Sequence, residues 1–225
     1  MSELKRLMDT LCPDGVEYKK LGEITQIARG ASPRPIKNFI TDGEDGVNWI
    51  KIGDVEPGAK YITRTKEKIT QEGAKKSRAV KKGDFILSNS MSFGRPYILS
   101  IDGCIHDGWL AISDFEQNIV PDYLYYILTS TPIQLEMKKR ASFGGAVQNL
   151  NADIVRDISI PVPPLSVQSE IVRLLDNFTA LTAELAARKT QYEHYRDALL
   201  TFPAPADDTA LASKQASKQA SKQTK

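Results

Sequence analysis

Residues 161–202 read PVPPLSVQSEIVRLLDNFTALTAELAARKTQYEHYRDALLTF, from Pro161 to Phe202, and this stretch decides how the chain is organised. Pro161, Pro163 and Pro164 cannot lie inside a helix, and Ser166 directly after them suits an N-cap, with Glu170 placed to complement the helix dipole. From Ser166 to Phe202 there is neither Gly nor Pro. Ile171, Leu174, Phe178, Leu181, Leu185, Tyr192, Tyr195 and Leu199 recur at heptad spacing, with Arg188 as the one break. At 1.5 Å per residue such a helix is on the order of 50 Å long, longer than a small domain is wide. A seam of that length asks for a second long helix, so the segment 163–202 is expected to be a spacer and dimerisation arm.

The rest of the 225 residues divides around it. Leu4, Leu7, Met8 and Leu11 sit at helical spacing within residues 2–11, and Pro13-Asp14-Gly15 makes a turn. Together with this helix, residues 1–162 form one strand-rich α+β domain. Strands are expected at Val47–Ile52, Asp84–Leu87, Tyr97–Ile101, Cys104–Ile112 and Ile158–Val162, and helices at Pro121–Thr129 and Pro132–Arg140, each opened by Pro. Residues 203–225 hold Ala-Ser-Lys-Gln three times over (Ala212 to Gln223) and almost no apolar side chains, and are expected to be disordered.

Composition excludes several classes of function. Cys12 and Cys104 show no paired spacing, which argues against a disulfide scaffold and fits a reducing, cytoplasmic setting. No apolar run approaches a membrane span, and the start MSELKRLMDTL lacks a signal peptide's apolar region. The net charge is only +2, but Lys19 to Arg95 holds 16 basic against 9 acidic residues, while Ile101 to Leu165 holds 4 against 8. A local positive excess suits a nucleic-acid face, since phosphate contact needs a patch and not a high overall pI; lysines that merely solvate loops are the alternative.

Motifs for catalysis are missing. There is no nucleotide-binding Gly-x-x-x-x-Gly-Lys-[Ser/Thr] run, no Gly-x-Ser-x-Gly elbow and no metal or cofactor motif, and His106 and His194 stand far apart without neighbouring Cys. Glu136-Met-Lys138 resembles a nuclease fragment but arises readily by chance in a charged helix. What remains are polar loops able to read base edges. Arg29, Ser32, Arg34 and Lys37 lie on a loop stiffened by Gly30, Pro33 and Pro35. Asn89, Ser90, Ser92 and Arg95 follow a short apolar strand; Asn can bond adenine and Arg guanine in bidentate fashion. Gln148, Asn149 and Asn151 follow Gly144-Gly145, where the backbone can approach a partner closely. Structural turns whose polar groups face water are the alternative for each loop, and Trp109 in His106-Asp-Gly-Trp109 reads more readily as core than as a base-stacking platform.

In order along the chain, Tyr18-Lys-Lys-Leu-Gly-Glu-Ile24, Trp49-Ile-Lys-Ile-Gly-Asp-Val55, Lys82-Gly-Asp-Phe-Ile-Leu-Ser88, Ser92-Phe-Gly-Arg95 and the Pro-Pro-Leu-x-x-Gln-x-x-Ile run of Pro163 to Ile171 closely resemble the DNA specificity subunit of Type I restriction-modification systems. Phe178-Thr-Ala-Leu-Thr-Ala-Glu-Leu185 and Gln191-Tyr-x-x-Tyr-Arg-Asp-x-Leu-Leu200 extend the match. The resemblance implies a non-catalytic, cofactor-free module that binds double-stranded DNA, reads one half of a bipartite target, and docks adenine methyltransferase subunits and an ATP-dependent restriction subunit. Members usually carry two recognition domains and two helices. This chain has one of each, which leaves open a homodimer of halves, pairing with a second half-subunit, or a piece of a longer subunit. A stand-alone DNA-binding regulatory or structural dimer and a DNA-cleaving enzyme are the alternatives.

Overall fold

The computed structural model describes residues 2–56, 58–89, 93–141 and 150–202. The chain divides into two units, Met1–Leu175 and Asp176–Lys225. In order, the elements are α1 (Glu3–Leu11), β1 (Tyr18–Lys20), α2 (Leu21–Ile24), β2 (Gln26–Arg29), β3 (Ile40–Thr41), β4 (Val47–Ile50), β5 (Tyr61–Ile62), β6 (Glu67–Ile69), α3 (Gln71–Lys75), β7 (Arg78–Val80), β8 (Phe85–Ser88), β9 (Pro96–Leu99), β10 (Gly103–Ile105), β11 (Trp109–Ser113), α4 (Pro121–Thr129), α5 (Thr131–Ala141), α6 (Ala152–Arg156), β12 (Ser159–Pro161) and α7 (Leu165–Leu200). The architecture is the expected α+β.

Two five-stranded sheets, ordered β3-β6-β4-β10-β7 and β2-β11-β8-β9-β5, carry the first unit, and β1 pairs antiparallel with β12 to close a small third sheet. Strand period explains the layering. Along β8, Phe85 and Leu87 face one side and Ile86 the other; along β11, Leu110 and Ile112 oppose Trp109 and Ala111. The sheet is therefore buried on both faces, and its central strands read as unbroken apolar runs. One face packs against α2, α4, α5, α6 and the start of α7, around Leu21, Phe115, Leu124, Leu128, Met137 and Val155. The other meets the first sheet through Ile50, Ile62, Val80, Tyr97, Leu99 and Ile105. Trp109 is fully buried there, edge-on to Tyr97 with ring centroids 5.7 Å apart, so it is a core residue.

Three local expectations are corrected. The single strand expected over Cys104–Ile112 is two strands in different sheets, because the chain turns at His106–Gly108; Gly108 N–H donates to His106 Nδ1 at 2.7 Å and Trp109 N–H to His106 O at 3.1 Å. The strand expected over Val47–Ile52 stops at Ile50 and gives way to a 3-10 turn at Ile52–Asp54. Ser166 is not the cap of α7: the helix begins one residue earlier, and the Pro164 carbonyl accepts from Val167 N–H at 2.9 Å and Gln168 N–H at 3.1 Å. Proline suits that place, since it gives up no helical hydrogen bond there. Gln168, fully buried, anchors this corner: it accepts from Val120 N–H at 2.8 Å and donates to Asn118 O at 2.9 Å and Pro163 O at 2.8 Å. Its amide groups all find partners, which is how a polar side chain tolerates burial.

Candidate nucleic-acid interface

Three loops that are distant in sequence meet at the His106–Gly108 turn. The loop after β2 is laid against it by backbone bonds, Gly30 N–H to Trp109 O at 2.8 Å and Ala31 N–H to Ile105 O at 3.2 Å, and Ser77 Oγ donates to Ala31 O at 2.6 Å. Only glycine fits at position 30, where a Cβ would lie 2.0 Å from the His106 carbonyl oxygen. The β8–β9 connection joins from the other side, with Asn89 N–H on Gly108 O at 3.1 Å. A third segment arrives through Leu150 N–H, which donates to Asn89 O at 2.9 Å.

Asp107 gathers the side chains. Its Oδ1 accepts from Ser32 Oγ at 2.7 Å and its Oδ2 from Arg34 at 3.2 Å, while its carbonyl accepts from Arg29 Nε at 3.2 Å and Asn89 Nδ2 at 2.9 Å. The Ser32 hydrogen bond, reinforced by its own backbone N–H and by the Arg34 guanidinium, holds its carboxyl below the usual carboxylate range against the opposing effect of partial burial. Ser32, Pro33, Arg34, Pro35, Ile36, Lys37 and Asp107 line an open hollow of about 650 Å³ with an apolar floor and charged rim.

The nominated residues sort by what they touch. Arg34 and Lys37 are exposed on this hollow with Ser32 half-buried beside them, and Arg29 is exposed at the end of β2, bonded to the Asp107 carbonyl. Asn89 is 3% exposed and spends its amide on Asp107, so it braces the loops from inside. Arg95 is half-buried with its guanidinium 5.5 Å from the Tyr97 ring centre, next to Gly94, whose positive φ closes the hairpin. Asn151 caps α6, its Oδ1 accepting from Ile154 N–H at 2.8 Å. Ser90, Ser92, Gln148 and Asn149 lie outside the described residues, as do residues 203–225. The sequence reading missed two members: Asp107, and Arg78, which is exposed and donates from Nε to Arg29 O at 3.3 Å. The signal was a loop with two arginines and a serine that needed an acceptor.

The heptad residues separate as well. Ile171 packs against the domain core beside buried Val172, and Leu174 is half-buried. Phe178, Leu181, Leu185, Tyr192, Tyr195 and Leu199 are each 56–75% exposed. The unpartnered seam therefore starts at Phe178. Arg188, at its break, pairs with Glu184 at 3.2 Å on the same helix. Glu136 is engaged by Arg140 at 2.7 Å, and among the described residues no group of three His, Cys, Asp or Glu side chains could hold a metal ion. Nor, among those residues, is any helix long and apolar enough to cross a membrane.

Comparison with known proteins places this geometry. The family model described as the Type I restriction modification DNA specificity domain matches residues 13–192. The specificity subunit of the Type I restriction enzyme EcoR124I/EcoR124II from Escherichia coli is 30% identical over 209 residues, covering 84% of this chain and 49% of that protein. The EcoprrI specificity subunit, also from Escherichia coli, is 25% identical over 221 residues, covering 90% of this chain and 53% of the relative. The chain thus spans about half the length of the curated relatives it matches. In fold it is similar to the HsdS subunit from Thermoanaerobacter tengcongensis, with a TM-score of 0.62 at 21% identity over 83% of this chain and 45% of that one. The strand-rich domain, the long helix and the matched span together establish that this chain belongs to the Type I restriction-modification DNA specificity family.

Proposed function

We propose that this chain is the non-catalytic module that selects the DNA sequence for a Type I restriction-modification complex. Its recognition domain reads one half of a bipartite, interrupted target. Its long helix pairs, antiparallel, with a second copy or a second half-subunit and so fixes the distance between the two halves. The assembly docks two adenine methyltransferase subunits and, when present, the ATP-driven restriction subunit. The observation that carries this reading is the family match across residues 13–192, which takes in the strand-rich domain and most of the long helix α7.

The site supports the DNA-reading part. Arg34 and Lys37 form a cationic edge on a loop whose start is held by backbone hydrogen bonds, with Arg29 at the end of β2 just before it, so less conformational entropy is lost when DNA engages it. Lys37 contacts phosphate and contributes to binding of every sequence; Arg34 meets a base edge and contributes to choice. The exposed apolar residues from Phe178 onward support the pairing part, because side chains of that size gain most by leaving water.

Co-expression with a cognate adenine methyltransferase tests the proposal. The expected result is co-purification of the two proteins and methylation at one interrupted sequence motif, seen only when both are present. Methylation at that motif without this chain, or no association with any methyltransferase encoded beside it, would leave a stand-alone DNA-binding dimer as the better reading.

A further inference from the structure

We infer that Asp107 is a specificity-determining positioning residue, which holds Arg34 in its base-reading pose and keeps that guanidinium from engaging phosphates indiscriminately. The inference rests on the DNA-reading role proposed above and assigns the origin of its selectivity.

The geometry separates two jobs within one residue. The main-chain carbonyl of Asp107 braces the fold, accepting from Arg29 Nε and from buried Asn89 Nδ2. The carboxylate does something else, binding Ser32 with one oxygen and Arg34 with the other. Arg34 is 82% exposed at its side chain and Asp107 41%, and ion pairs so exposed add little to stability. Stability is therefore a poor reason for an anion here.

Affinity is a poor reason too. Asp107 lines one hollow with Arg34 and Lys37, and a carboxylate at that place repels the phosphates of any duplex. What the carboxylate can supply is discrimination. A guanidinium carries five N–H donors in a planar fork, and Asp107 Oδ2 takes up only one terminal nitrogen of Arg34. Among the described residues Arg34 makes no other side-chain hydrogen bond, so its remaining donors are available to the paired acceptors of a guanine edge, while the bond to Asp107 orients the fork. Binding to the wrong sequence leaves the Asp107 charge without compensation, a penalty that raises selectivity by weakening competitors.

Asp107→Asn tests this, because it preserves shape, an acceptor for Ser32 and the main-chain carbonyl while removing the charge. The full chain, free and in complex with the methyltransferase of the preceding test, is used to enrich sequences from a random duplex library. Dissociation constants are then measured against salt for the enriched duplex, its single-base variants and an unrelated duplex. For Asp107→Asn we expect an unchanged melting temperature, several-fold tighter binding to the unrelated duplex with a salt slope steeper by about one phosphate contact, and discrimination at one base pair reduced by about tenfold. Arg34→Ala should lose the same base preference, and adding Asp107→Asn to it should change discrimination no further. Asp107→Glu, which keeps the charge but displaces it, should lose discrimination at an unaltered salt slope, and it carries the test if the Asn variant does not fold. A wild-type chain that selects a sequence and an Asp107→Asn variant that selects it equally well would overturn this inference alone. So would an undiminished Asp107→Asn effect in the Arg34→Ala background. A wild-type chain that enriches no sequence would defeat the DNA-reading proposal itself and this inference with it.

Discussion

The loops around His106–Gly108 and the half of α7 beyond Phe178 treat their exposed groups in opposite ways. In the first region the described loops are tied down internally: backbone bonds fix the loop after β2, Asn89 turns inward, and Asp107 collects four side chains. In the second, six large apolar side chains stand in solvent and the side-chain pairs shown, Arg188 with Glu184 and Arg196 with Asp197, stay within the helix. A surface that must recognise base edges is useful only if it is ordered beforehand, since ordering on contact would weaken binding and blur choice. A helix that gains its partner on assembly can leave its seam bare, because the burial is what drives association.

Four experiments would break or sharpen this contrast. The largest effect is expected in the helix. Phe178→Ala and Leu181→Ala should each weaken self-association by about 2–5 kcal/mol and convert dimer to monomer in light scattering, while the near-ultraviolet signal of the domain stays intact. A wild-type chain that is monomeric at micromolar concentration would show that the seam serves a non-identical partner. Next comes the loop region. Gly30→Ala forces a Cβ against the His106 carbonyl and should destabilise the domain by about 3 kcal/mol in urea unfolding, with no change in association.

A third effect is titratable. Tyr123 is buried and donates from its hydroxyl to Pro161 O at 3.1 Å, and burial pushes its pKa up from 10.0 to about 12. The raised value means that the folded state keeps the proton longer than the unfolded chain. Its contribution is thus complete below the unfolded value and is lost as pH rises through this interval, by roughly 2–3 kcal/mol in all. Tyr123→Phe should flatten the loss in melts recorded across alkaline pH. The smallest change is expected at Asn151→Ala, which removes the cap of α6 and should cost about 1 kcal/mol with base preference unaltered. A sequence-dependent loss of DNA affinity in that variant would return Asn151 to the reading surface.

Local rules made much of the architecture legible. Prolines bounded α4, α5 and α7; a Gly- and Pro-free heptad run specified a long helix; unbroken apolar stretches marked β8, β9 and β11. Short strands escaped notice. β2, β3, β5, β6 and β7 are two to four residues long, with mixed polar and apolar faces, and they exist through pairing with distant strands.

The sequence by itself determined that Phe178 to Leu199 would form one amphipathic helical seam, because helix periodicity depends only on residues a turn apart. It also determined the loop chemistry, with Arg29, Ser32, Arg34 and Lys37 together on one short segment. Only the tertiary structure decided that Ile171 belongs to the domain core, that Asn89 faces inward, and that Asp107, more than seventy residues from Arg34, is its partner. Those outcomes hang on β10 and β11 parting into different sheets at a three-residue turn. Such a turn is set by what each strand pairs with across the fold, and no local pattern of side chains records that choice.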